Sequence, residues 1–151
     1  MLAELRDLFV RDLERLTAQL EAYPSEASVW VVPDGVLNSG GTLVLHLVGN
    51  LSQFVGLELG GVPFVRDRAA EFARQDVPRA ELLALLAGVR EAVSGTLERL
   101  PESRLGEVSG TQLPGFPAGM TVGFFLVHLY GHLNWHLGQL DYHRRMTGTG
   151  Q

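Results

Sequence analysis

The chain has 151 residues, 46% hydrophobic and 19% charged, which suits one domain with its own core and argues against wholesale disorder. It holds no cysteine and no lysine, excluding disulfides, thiolate metal sites, a cysteine nucleophile, lysine Schiff bases and a Walker-type phosphate loop. The net charge is −5, with six arginines against ten acids in residues 1–75 and six against seven in 76–151, so no basic surface for nucleic acid is expected.

The start of the chain, Met1 to Asp7, is acidic and amphipathic, unlike the basic and then apolar start of a signal peptide. Leu2, Leu5, Phe9, Leu13, Leu16, Leu20 and Tyr23 recur at steps of three and four, predicting a first amphipathic helix that Pro24 stops. In the connection 24–38, Pro33-Asp34-Gly35 reads as a turn. Asn38 or Ser39 is set to cap a second helix running to about Glu58, closed by Gly60-Gly61. Its apolar stretch from Leu43 to Leu59 is broken by His46, Asn50, Gln53 and Glu58, and falls short of the roughly 20 apolar residues of a membrane span. No membrane partner and a cytoplasmic location are expected.

Residues 60–77 read as a second long connection, and Asp76 as the cap of a third helix with Pro78 in its first turn. Leu82, Leu86, Val89, Val93, Leu97 and Leu100 supply that helix's apolar stripe. Residues 101–120, rich in Gly and Pro, form a third connection. A fourth helix runs from Thr121 to about Met146, with Arg144 and Arg145 near the negative end of its dipole. The pattern predicts an all-α fold, one four-helix bundle spanning residues 1–151, with connections longer than bundles usually carry.

The chemistry concentrates in histidine. His128, His132, His136, Gln139 and His143 share one arc of the fourth helix, beside the leucines that must pack inward. On the second helix Thr42, His46, Asn50 and Gln53, at spacings of four, four and three, form a polar line on an apolar background. Two histidines at i and i+4 can share an ion, and a third from a facing helix completes a three-nitrogen site. His46, His132 and His136 are the chosen ligands for a divalent metal, zinc or nickel, with a fourth position for solvent or substrate. His128, Asn50, Gln53 and Gln139 are candidates for orienting a ligand or touching substrate, and His143 is expected at the surface. Residues 133–135 are Leu, Asn and Trp, so the metalloprotease helix with its built-in glutamate base is absent.

Gly49 and Gly56, and Gly131 and Gly138, are seven apart in their helices, which suggests close approach of another backbone. The second helix is apolar around most of its circumference. A homodimer through the second or fourth helix is therefore expected.

The phrase His132-x-x-x-His136-x-Gly138-Gln139, with a lone His46 on an apolar second helix, resembles the DinB/YfiT-like metalloenzyme superfamily. The resemblance implies an up-down-down-up bundle, often dimeric, and a divalent metal held by His46, His132 and His136. Many members carry Arg after the last ligand, where this chain has Leu137. Some relatives transfer low-molecular-weight thiols of the bacillithiol or mycothiol kind to small electrophiles. A metal that lowers a thiol's pKa needs no protein base, which accords with the missing glutamate. The expected function is a metal-dependent thiol transferase acting on a small-molecule substrate. The alternatives are a metal-assisted hydrolase and a non-enzymatic metal- or ligand-binding stress protein.

Overall fold

The long helix α1 (Leu2–Glu21) buries Leu2, Leu5, Phe9, Leu13, Leu16 and Leu20, as its period requires. It ends two residues before Tyr23, whose side chain is still fully packed. The computed structural model describes residues 1–148, and its regular structure there is helical apart from one isolated bridge, Val108 with Thr121.

The connection 24–38 is not wholly irregular. It begins with the short helix α2 (Glu26–Trp30), opened by a reciprocal cap between Ser25 and Ser28. The indole of Trp30 then donates to the Val77 carbonyl at 3.3 Å. The expected turn follows: Val36 N–H donates to Pro33 O at 3.0 Å, and Gly35 takes the left-handed φ of 80°. Ser39 caps α3 (Gly40–Leu51) by accepting from Thr42 N–H at 3.1 Å.

The second predicted helix is continuous only to Leu51. Ser52–Leu57 forms a π-helical turn, in which Glu58 N–H reaches Gln53 O. The wider turn breaks the spacing that carried the polar line beyond Asn50. Every residue of α3 except His46 is buried within this one chain, so its apolar circumference is covered by α2, α4, α5 and α6.

Residues 60–77 hold a further helix, α4 (Arg68–Ala73), whose cap Asp67 accepts from Ala70 N–H at 3.0 Å. Asp76 does not cap the next helix. It takes a left-handed φ of 55°, and α5 (Arg79–Arg99) starts directly after Pro78. A 3-10 turn at Glu102–Gly106 precedes α6 (Val122–Gly148), the longest element.

Both α1 and α3 lie against α5 and α6, so the four long helices share one core. A buried clamp fixes α6 against α1. Asp12 accepts from Arg11, from Arg15 and from the Tyr130 hydroxyl at 2.7 Å. Burial alone would raise this carboxyl, but the bonds from Arg11, Tyr130 and Asn134 outweigh it and hold the group at about 2.

Candidate metal centre

Three imidazoles meet between α3 and α6. His46 Nε2 lies 3.2 Å from His132 Nε2, and His136 Nε2 lies 3.1 Å from that same nitrogen. One ligand atom from each of the three falls within a 4.8 Å spread, and no other group of three or more His, Asp or Glu has that geometry among the described residues. Two nitrogens bound at about 2.0 Å to one tetrahedral ion are about 3.3 Å apart, so the spacing is that of a ligand set.

The outer nitrogens decide which atom of each ring faces the centre. His46 Nδ1 is 3.0 Å from Glu71 Oε1, and Arg66 grips the Glu71 carboxylate with two N–H groups at 2.8 and 3.0 Å. A carboxylate held this way can only accept, so His46 carries its proton on Nδ1 and turns the Nε2 lone pair inward. His136 repeats the arrangement, with Nδ1 at 2.7 Å from Gln139 Oε1. Two lone pairs thus converge on His132 Nε2, where a shared cation could satisfy all three. His132 Nδ1 is buried with no hydrogen-bond partner, so no acceptor behind this ring fixes its tautomer. The donor set fits zinc or another imidazole-preferring divalent ion.

Electrostatics favour the neutral ligand form. Burial lowers the pKa of His46 against the opposing pull of Glu71, and burial lowers that of His136. His132 falls to about 4, first through burial and then through repulsion from His136, His46 and His128. These rings are uncharged at neutral pH, as coordination requires.

The other sequence candidates are distributed unevenly. Gln139 touches His136 directly. His128 sits one turn from His132, with ring centres 6.2 Å apart, in a setting made by Phe116 and Phe125. Asn50 is buried, and its side-chain oxygen has no partner. Gln53, beyond the start of the π turn, instead donates to Glu58 at 3.0 Å.

His143, expected at the surface, is 1% exposed. The Tyr23 hydroxyl lies 2.6 Å from its Nδ1, and its Nε2 lies 2.8 Å from the Val31 carbonyl. The segment after α2 supplies that carbonyl, which helix periodicity alone does not reveal.

Glu71 and Arg66 were missed because they lie in a stretch read as a connection. The available signal was Gly49. A Cβ there would overlap the Glu71 carboxylate, so this mid-helix glycine admits a side chain, where a backbone was expected. Gly131 and Gly138 face open space within the chain, with no intramolecular neighbour to explain them.

A family model described as the DinB superfamily matches residues 2–140. No curated protein and no solved structure gives a significant match. None of the helices among the described residues is long and apolar enough to cross a membrane. The matched span covers α1 through the histidine pair of α6, and with it every residue of the converging site: the chain belongs to the DinB superfamily.

Proposed function

We propose that the protein holds one divalent metal through His46, His132 and His136 and transfers a low-molecular-weight thiol to small electrophiles. The convergence of three Nε2 atoms, two of them aimed by acceptors behind the ring, carries this reading. A bound divalent ion supplies the Lewis acidity that lowers a thiol's pKa. The chain's own residues do the positioning. Glu71 fixes the tautomer of His46, and Arg66 compensates the Glu71 charge, so that the site accepts an anion without a local carboxylate opposing it. Phe72 packs against His46 with ring centres 5.2 Å apart, and Phe116 covers His128 at 4.6 Å, shielding that side from water. The reading includes up-down-down-up connectivity of the four long helices.

It also includes a homodimer, supported by one face of α6. Phe124, Val127, Trp135 and Tyr142 form an exposed stripe there, with Gly131 and Gly138 leaving room for a second helix. The proposal for α3 loses its ground, because that helix is covered within the chain.

Elemental analysis of untagged protein is expected to return about one metal per chain. The loaded protein should accelerate conjugation of a bacterial thiol to monochlorobimane, and light scattering should return a dimer. Turnover of hydrolysable substrates without added thiol would favour the hydrolase reading. Absence of metal after supplementation would overturn both.

A further inference from the structure

Twelve arginines supply all the permanent side-chain cations of this chain, and ten of them pair with carboxylates. Among the described residues, Arg68 and Arg99 are the two that make no salt bridge. Arg68 is linked to the histidine centre through one aromatic ring. Its guanidinium lies over the Phe72 ring at 5.2 Å, and that ring lies 5.2 Å from the His46 imidazole.

A guanidinium held over an aromatic ring by cation–π attraction spends none of its five N–H donors on that contact. No hydrogen bond from Arg68 to the protein uses those donors among the described residues. The neighbouring Asp67 spends a carboxylate oxygen on the α4 cap, accepting from Ala70 N–H. Arg66, the other arginine near the centre, is committed to Glu71 through two bonds and is 14% exposed. Helix α6 offers no competing cation beside the ligands: Leu137 follows His136, while Arg144 and Arg145 pair with Asp141.

From this geometry we infer that Arg68 anchors a carboxylate or phosphate group of the small molecule whose reacting end reaches the histidine centre. The inference rests on the proposed metal and thiol chemistry, and it names the substrate class: a thiol bearing an anionic group. Charge agrees with this. The Arg66–Glu71 pair compensates itself, which leaves Arg68 as the arginine near this ring system with no carboxylate bonded to it among the described residues. The contact of Arg68 with the Phe72 ring limits the ordering it must undergo when a carboxylate arrives.

The test is a binding titration of cobalt(II)-loaded protein with 3-mercaptopropionate and with 2-mercaptoethanol, read by the sulfur-to-cobalt charge-transfer band. Wild type is expected to prefer the carboxylate thiol, with the preference weakening as salt is raised. Arg68→Gln should reduce affinity for 3-mercaptopropionate by about three- to tenfold and leave 2-mercaptoethanol unchanged, a range set by exposed ion pairs at the low end and charge-assisted bonds at the high end. Arg99→Gln, which removes the same charge elsewhere, should change neither. A carboxylate preference that survives in Arg68→Gln, or is absent in wild type while both thiols bind, overturns the role of Arg68 alone. A cobalt band that neither thiol perturbs, or a chain that takes up no cobalt, overturns the thiol reading and this inference together.

Discussion

Two histidine settings on α6 differ in what they leave free. At His143 both nitrogens are spent, one with the Tyr23 hydroxyl and one with the Val31 carbonyl. At His136, and at its partner His46 on α3, one nitrogen is spent on an acceptor and the other faces a common point. His136 and His143 lie on one stripe and both are shifted toward the neutral form by burial. Burial and neutrality therefore do not distinguish a ligand from a structural histidine. The unspent nitrogen, and where it points, does.

The two histidine settings should separate most clearly in metal uptake. His132→Ala should abolish metal uptake by elemental analysis, because two imidazoles cannot complete the site. His143→Ala should retain one metal per chain and lose about 2–4 kcal/mol of stability in denaturant unfolding, since it strands a buried hydroxyl and a carbonyl. Loss of metal in both variants would erase the distinction.

A smaller effect is expected behind the ring. Glu71→Gln should lower metal affinity about 10- to 100-fold in a competitive chelator titration. Gly49→Ala should act in the same direction by displacing the carboxylate, and should also lose stability, because breaking the buried Arg66–Glu71 pair costs more than the roughly 1 kcal/mol that alanine's helix propensity returns. An unchanged affinity in Gly49→Ala would remove Glu71 from the account.

The structural histidine should show itself in the pH dependence of stability. Neutral His143 donates from Nε2 to Val31 and accepts from Tyr23 at Nδ1, and burial lowers its pKa below 6.5 in spite of the Val31 carbonyl. The unfolded chain binds the proton first as pH falls, so this stability is full above about 6.5 and is lost on acidification toward the lower folded pKa. Unfolding of metal-free protein across pH 7 to 5 should show a steeper loss in wild type than in His143→Gln, by up to about one proton. Equal slopes would contradict a buried neutral His143.

Much of this was legible in residues whose environment is set by their own helix. The i, i+4 pair His132 and His136 must share a face, and His46 is the one histidine on the most apolar segment. Glu71 was not legible, because a six-residue helix has too little periodicity to announce itself and is held in place by tertiary contacts. Asp76 is a good cap by residue type, yet its backbone turns left-handed and the helix starts beyond it.

By itself, the amino-acid sequence determined the long helices, the faces on which the histidines stand, and the absence of any cysteine or lysine to compete with them. Those properties follow mostly from local geometry and residue chemistry, though the π turn at Ser52–Leu57 shows packing altering the end of one helix and the face of Gln53. Only the tertiary structure decided which nitrogens are engaged and which converge. For His46 and for Nε2 of His143 that choice depends on Glu71, Arg66 and Val31, which chain folding brings to the imidazoles from segments with no helical period to reveal them, whereas Gln139 engages His136 from within its own helix.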